Sequence, residues 1–191
     1  MSNGRVTKAH TTRDLALAAL FAALTAAGAY VSFPLYGAVP FSLQVLVVLL
    51  AGLLLGARLA ALSMTAYLLV GLVAPVYAGG SSGFGVLVGP AGGYLWGFIA
   101  GAALTGLIVE RWRLRSAAAL AAAAAAGLAP IYILGAGWLA FSLRVSDPAV
   151  VVGAGVLQFL PGDLLKVAAA ALVARALAAA PLELPALGRG R

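Results

Sequence analysis

The sequence predicts an all-α, polytopic membrane protein, a bundle of six transmembrane helices. Three observations carry this. Charged residues make up 9% of the 191 residues and hydrophobic residues 64%; mean hydropathy is +1.09. A soluble domain carries about a quarter charged residues, so this chain cannot clothe a globule of its size in hydrated groups. The apolar runs, at roughly 20 residues each plus short loops, add up to six membrane spans. The basic residues cluster in alternate loops, as cytoplasmic loops require. Residues 1–191 therefore form a single transmembrane domain.

Residues 1–14 are a polar, basic cytoplasmic segment with Arg5, Lys8, His10 and Arg13. Thr11 or Thr12 caps the first helix, because a threonine hydroxyl accepts an otherwise unpaired N–H there. Helix one covers about residues 15–31. It lacks a cleavage site and reads as a span, not a signal peptide. Residues 32–39 are a short loop with Pro34 and Gly37. Helix two starts at Pro40, where proline lacks only an N–H that would be unpaired anyway, and ends near Gly56. Arg58 marks a tight turn. Helix three covers 59–76 and an uncharged glycine- and serine-rich loop covers 78–89. Helix four runs from Pro90 to Val109, and a basic turn holds Arg111, Arg113 and Arg115. Helix five covers 117–143, opens in an alanine run and is expected to kink at Pro130. Residues 144–160 contain Asp147-Pro148 and are expected to form a short surface helix. Helix six covers 161–179, and the tail 180–191 is proline-rich, basic and cytoplasmic.

The loops orient the bundle. With the N-terminus inside, Arg58, Arg111, Arg113, Arg115, Arg175 and both basic termini are cytoplasmic, and Arg144 alone is outside. This asymmetry follows the positive-inside rule and makes the span count even. It also accounts for the net charge of +7 without nucleic acid.

Several chemistries are excluded. The chain has no cysteine, hence no disulfide or thiolate. Its single histidine, His10, rules out a His-rich metal site. A phosphate-binding loop, a Ser-His-Asp set and a His–Glu metal pair are all missing. No enzyme, cofactor or metal is expected.

Almost every buried polar group within the spans falls at the outer end. Gln44 lies in the first turns of helix two, after Phe41. Tyr94 lies in the first turns of helix four, after Gly92 and Gly93. Asp163 and Lys166 lie in the first turns of helix six. Three helix N-termini, each partly positive, then point at one outer pocket, with the loop 78–89 as a flexible lid. That suits a small, polar, anionic ligand. Asp163 and Lys166 share one helical face at i,i+3, and ionisable groups within a span usually mark function. The alternatives are a first-turn carboxylate that offsets the helix dipole and a snorkelling lysine. Gln44 can donate and accept to a ligand or bridge two helices. Tyr94 can stack on an apolar ring or anchor the interface; Tyr77 and Phe84, at the lid, carry weaker signals of the same kind. Gly92 and Gly93 fit either the site or close helix packing. In helix one, Ala18, Ala22 and Ala26, with Ala19, Ala23 and Ala27, form a small-residue face for helix contact, within the bundle or with a partner.

Five stretches, in order along the chain, resemble the BioY family, the biotin-binding S components of energy-coupling-factor (ECF) transporters. They are Ala19-Leu20-Phe21-Ala22-Ala23-Leu24-Thr25-Ala26, Val39-Pro40-Phe41-Ser42-Leu43-Gln44, Leu53-Leu54-Leu55-Gly56-Ala57-Arg58, Gly89-Pro90-Ala91-Gly92-Gly93-Tyr94-Leu95-Trp96-Gly97-Phe98 and Leu160-Pro161-Gly162-Asp163-Leu164-Leu165-Lys166. Ser42 and Ala91 stand where the family often has threonine, and the lid Ala78-Gly79-Gly80-Ser81-Ser82 offers no amide side chain. The resemblance implies capture of biotin at the outer face of a prokaryotic plasma membrane. Asp163, Lys166, Gln44, Tyr94, Gly92, Gly93, Tyr77 and Phe41 would form the site. It implies docking through Ala18, Ala22 and Ala26 to a transmembrane coupling subunit driven by two ATPase subunits. A different small vitamin, or a self-sufficient carrier using Asp163 as a proton-linked carboxylate, are the other readings.

Overall fold

A computed structural model describes residues 12–35, 37–179 and 185–187. Most of the expected cytoplasmic segment 1–14, with Arg5, Lys8, His10 and Thr11, lies outside the described residues, as do Arg189, Arg191 and most of the tail 180–191. The described chain is helical, broken by one small hairpin.

Helix α1 (Thr12–Tyr30) leads into a two-stranded antiparallel hairpin, β1 (Ser32–Phe33) and β2 (Phe41–Ser42). Helix α2 (Gln44–Leu55) follows. It starts four residues later than Pro40, because residues 41 and 42 pair with β1 instead. Helix α3 (Ala57–Gly71) begins after a break at Gly56, whose φ is +81°. A side chain there would be strained in this left-handed region and would also collide with the Glu110 carboxylate. That carboxylate accepts the N–H of Ala57 at 3.2 Å and so caps α3. The turn is thus set by Gly56 and Glu110, not by Arg58. Next come a short helix α4 (Phe84–Val88), α5 (Gly92–Trp112) and α6 (Ala117–Leu143). Ser116 caps α6 by accepting the Ala119 N–H at 3.2 Å. Helix α6 has the bounds expected for helix five and continues through Pro130.

The expected surface helix is α7 (Pro148–Val152), with Asp147 as its cap. It runs through a π-helical turn (Gly153–Leu157) toward α8 (Leu160–Ala179).

Helix α2 is the hub, packing against α1, α3, α5, α6 and α8. Val48, Leu49, Ala51 and Leu53 have no exposed surface. A helix apolar on every side needs such surroundings. At 12 residues it is only about 18 Å long, short of a hydrocarbon core about 30 Å thick. Helix α3, with 15 residues, is also short. Four segments among the described residues are long and apolar enough to cross a membrane: Thr12–Tyr30, Gly92–Trp112, Ala117–Leu143 and Pro148–Ala179. Their outer surfaces carry exposed Leu20, Leu24, Leu107, Ile133, Leu165 and Leu172, the residue types that face lipid rather than water.

Residues 185–187 pack back on the bundle. Leu187 is buried, the Ala186 N–H donates to the Leu54 carbonyl at 3.1 Å, and Arg115 donates to the Leu187 carbonyl. The Leu54 carbonyl lies in the last turn of α2, where no intrahelical partner exists. Leu187→Ala should lower stability by about 2 kcal/mol or more, read as a lower melting temperature in detergent. An unchanged melting temperature would show the return to be incidental.

Candidate functional site

A cavity of about 330 Å³ opens where β2, α2, α5, α6 and α8 meet. That is the size of a small-molecule site. Its walls are mostly apolar and aromatic, with Phe41, Tyr94, Phe98 and Phe159 prominent. Tyr94 and Phe159 meet edge to face with centroids 6.0 Å apart. Polar groups converge from several sides: Gln44 from α2, Tyr132 from α6 and Asp163 from α8.

Asp163 is 2% exposed, and both carboxylate oxygens are held. Lys166 Nζ donates to Oδ1 at 2.7 Å. Tyr132 Oη donates to Oδ2 at 2.7 Å. Lys166, 6% exposed, also donates to the Ser42 carbonyl at 2.6 Å. Its ammonium sits 3.5 Å from the centroid of the Phe41 ring, a cation–π contact. The lysine therefore ties α8 to the hairpin and lies behind the cavity wall formed by Asp163 and Phe41. Local sequence places the pair: i,i+3 spacing sets both on one helical face.

Gln44 works in both directions. Its Oε1 accepts from Ser42 Oγ at 2.9 Å, and its Nε2 donates to the Tyr67 hydroxyl. Tyr67 in turn donates to the Val76 carbonyl at 3.1 Å. Gln44 thus bridges helices while lining the cavity. Tyr77 also lines it, edge to face with Tyr67 at 5.7 Å, and donates to the Leu68 carbonyl at 2.6 Å. Burial pushes the Tyr77 hydroxyl above its ordinary pKa of 10.0. Tyr94 donates to the Gly155 carbonyl in the π-helical turn at 2.7 Å.

Of the eight expected site residues, Asp163, Gln44, Tyr94, Tyr77 and Phe41 line the cavity, and Lys166 backs it. Gly92 and Gly93 do not line it. A Cβ on Gly92 would meet the Leu87 carbonyl at 2.0 Å, and one on Gly93 the Leu134 carbonyl and Trp138 Cβ at 2.3 Å. Their place is close packing. In α1, Ala18 and Ala22 are buried in the bundle and Ala26 is half-buried. Within this row Ala18 and Ala22 face into the bundle, and the exposed row of the same spacing is Ala19, Ala23 and Ala27.

Two further expectations change. The third helix start is not a free one: the Asp163 N–H donates to the Phe159 carbonyl at 2.9 Å, because the chain is already helical before Leu160. The loop over the cavity is structured. Trp138 donates to the Gly89 carbonyl at 3.0 Å, Trp96 to the Leu87 carbonyl at 3.3 Å, and the Gly79 N–H to Ser32 Oγ at 3.1 Å.

Sequence reasoning missed Tyr132 and Tyr67. Each sits mid-helix, where periodicity cannot separate a cavity tyrosine from a core one. A phenol within an apolar span still needs a partner, and that signal was available for Tyr132, two residues after Pro130.

A model of the BioY family matches residues 3–182. A biotin transporter BioY of Thermotoga maritima is 43% identical over 163 residues, 85% of this chain and 94% of that protein. One of Rhodobacter capsulatus is 43% identical over 180 residues, 87% of this chain and 93% of that protein. A crystal structure of the S-component for biotin from an ECF-type ABC transporter aligns with a TM-score of 0.80 at 26% identity, over 88% of this chain and 94% of that one.

Proposed function

Because the chain belongs to the BioY family, we propose that it is the substrate-binding subunit of a biotin uptake transporter. It is a transport protein, not an enzyme. The observation that carries the reading is the cavity wall at Asp163: a buried carboxylate, clamped by Lys166 and Tyr132, facing aromatic space. Biotin is an apolar fused ring bearing a ureido group, with two N–H donors and one C=O, and a carboxylate tail. A carboxylate wall accepts N–H, and the aromatic walls take the ring and chain.

The finer reading is a six-span bundle in a prokaryotic plasma membrane, with both termini cytoplasmic and the cavity toward the outside. Arg58, Arg111, Arg113 and Arg115 in alternate loops support it. A coupling subunit and two ATPase subunits move the captured vitamin inward. The exposed row Ala19, Ala23 and Ala27 on α1 is flat enough for a partner helix.

Purified protein should bind labelled biotin, and Asp163→Asn should weaken binding by about tenfold to a hundredfold, the loss of a hydrogen bond to a charged group. Unchanged affinity in that variant would sink the site assignment. A wild-type chain that no biotin concentration stabilises against heat would sink the function, since a ligand of the folded state raises its stability. Proton-gradient-driven uptake into liposomes holding this chain alone would instead favour the self-sufficient carrier.

A further inference from the structure

We propose that Tyr132 is a positioning residue for ligand capture, acting through Asp163; this rests on the biotin-binding reading above. Three observations support it. Tyr132 lines the cavity beside Asp163. Its hydroxyl meets Asp163 Oδ2 at 2.7 Å, while Lys166 holds Oδ1 at the same distance. The two donors approach from different helices, the lysine from α8 itself and the phenol from α6.

The geometry explains why both are needed. A lysine on the same helix fixes one oxygen, yet leaves the carboxylate plane free to turn about its bond to Cβ. A second donor from α6 removes that freedom. Helix α6 is in turn held firmly against α5: a Cβ on Gly97 would meet the Ile131 Cα at 2.8 Å, so the backbones touch one residue before Tyr132. The phenol thus carries the position of a rigid helix to the carboxylate. A fixed carboxylate presents its remaining lone pairs in one direction, and a ligand N–H then binds without first paying the entropy of orienting it. Because the Tyr132 proton is spent on Asp163, its hydroxyl oxygen is left only as an acceptor, on a residue that lines the cavity. Tyr132 and Asp163 together make a wall that takes donors and repels carboxylates.

The test is Tyr132→Phe, which removes one oxygen and keeps the ring. Labelled-biotin binding is measured in wild type, Tyr132→Phe, Asp163→Asn and the double variant, with melting temperatures alongside. Tyr132→Phe should lower affinity by about tenfold and should cost little or nothing further in the Asp163→Asn background. Such non-additivity marks a residue that acts through its neighbour. Independently of binding, the carboxyl carbon resonance of Asp163, assigned by difference from the chain's other two aspartates, Asp14 and Asp147, should shift in Tyr132→Phe. Unchanged affinity, an effect fully additive with Asp163→Asn, or an unmoved Asp163 resonance would each overturn the proposal. Wild-type binding with an unaffected Tyr132→Phe variant would leave the biotin reading standing. A wild type that binds no biotin would remove both.

Discussion

Lys166→Ala is expected to abolish measurable biotin capture and to destabilise the empty protein by about 3–5 kcal/mol. The lysine is the only cation paired with Asp163 among the described residues, and both groups are almost wholly out of solvent, at 6% and 3% side-chain exposure. Removing it leaves Tyr132 as the sole side-chain donor to a carboxylate inside an apolar bundle. It also frees the Ser42 carbonyl and the face of Phe41, so the hairpin loses its hydrogen bond to α8 and keeps the packing of Phe41 on Gly162. A second variant separates stability from function. Replacing both members, Asp163→Leu with Lys166→Met, removes the charges together. Such swaps of buried pairs are often neutral or stabilising, so the double variant should regain heat resistance without regaining biotin binding. Melting curves and labelled-biotin binding on the same preparations check this. If the double variant binds biotin as wild type does, the pair is structural and the site lies elsewhere in the cavity.

Gly93→Ala is expected to lower stability by about 1–3 kcal/mol, the usual range for overpacking, with a much smaller effect on the affinity of the folded fraction. The added methyl would sit 2.3 Å from both the Leu134 carbonyl and Trp138 Cβ. Neither is the far end of a flexible side chain, so α5 and α6 must move apart. Gly93, Gly97 and Gly101 recur every four residues along α5 and all abut α6 backbone, so the strain falls on the main helix–helix contact of the bundle. Stability falling with affinity little changed supports packing as the role of Gly93. A lower affinity at unchanged melting temperature would return Gly93 to the binding site.

Much of this architecture was legible in one sequence. The alanine-rich span 117–143 is found with the expected bounds, since a long apolar run between Ser116 and the Arg144 turn leaves little choice. Asp163 and Lys166 stood out because charge inside a span is costly and three residues set two side chains on one face. The hairpin at 32–42 was not legible: its strands are two residues each, too short for any alternation to register. Helix α2 read as an ordinary span because hydropathy counts apolar residues without knowing whether lipid or protein surrounds them. The alanine face of α1 was legible as a pattern, but two rows with the same spacing differ only in which one the bundle covers.

The sequence by itself determined the solvent, the helical class, the placement of the basic residues along the chain and the identity of the buried ion pair. These follow from composition and from spacing along one helix, which need no knowledge of neighbours. Only the tertiary structure decided that α2 is the hub, that Gly92 and Gly93 pack closely on neighbouring backbone outside the cavity wall, that Ala18 and Ala22 face inward, and that Tyr132 completes the hold on Asp163. Each depends on which element lies across a gap of a few ångströms, a relation between residues far apart in the chain.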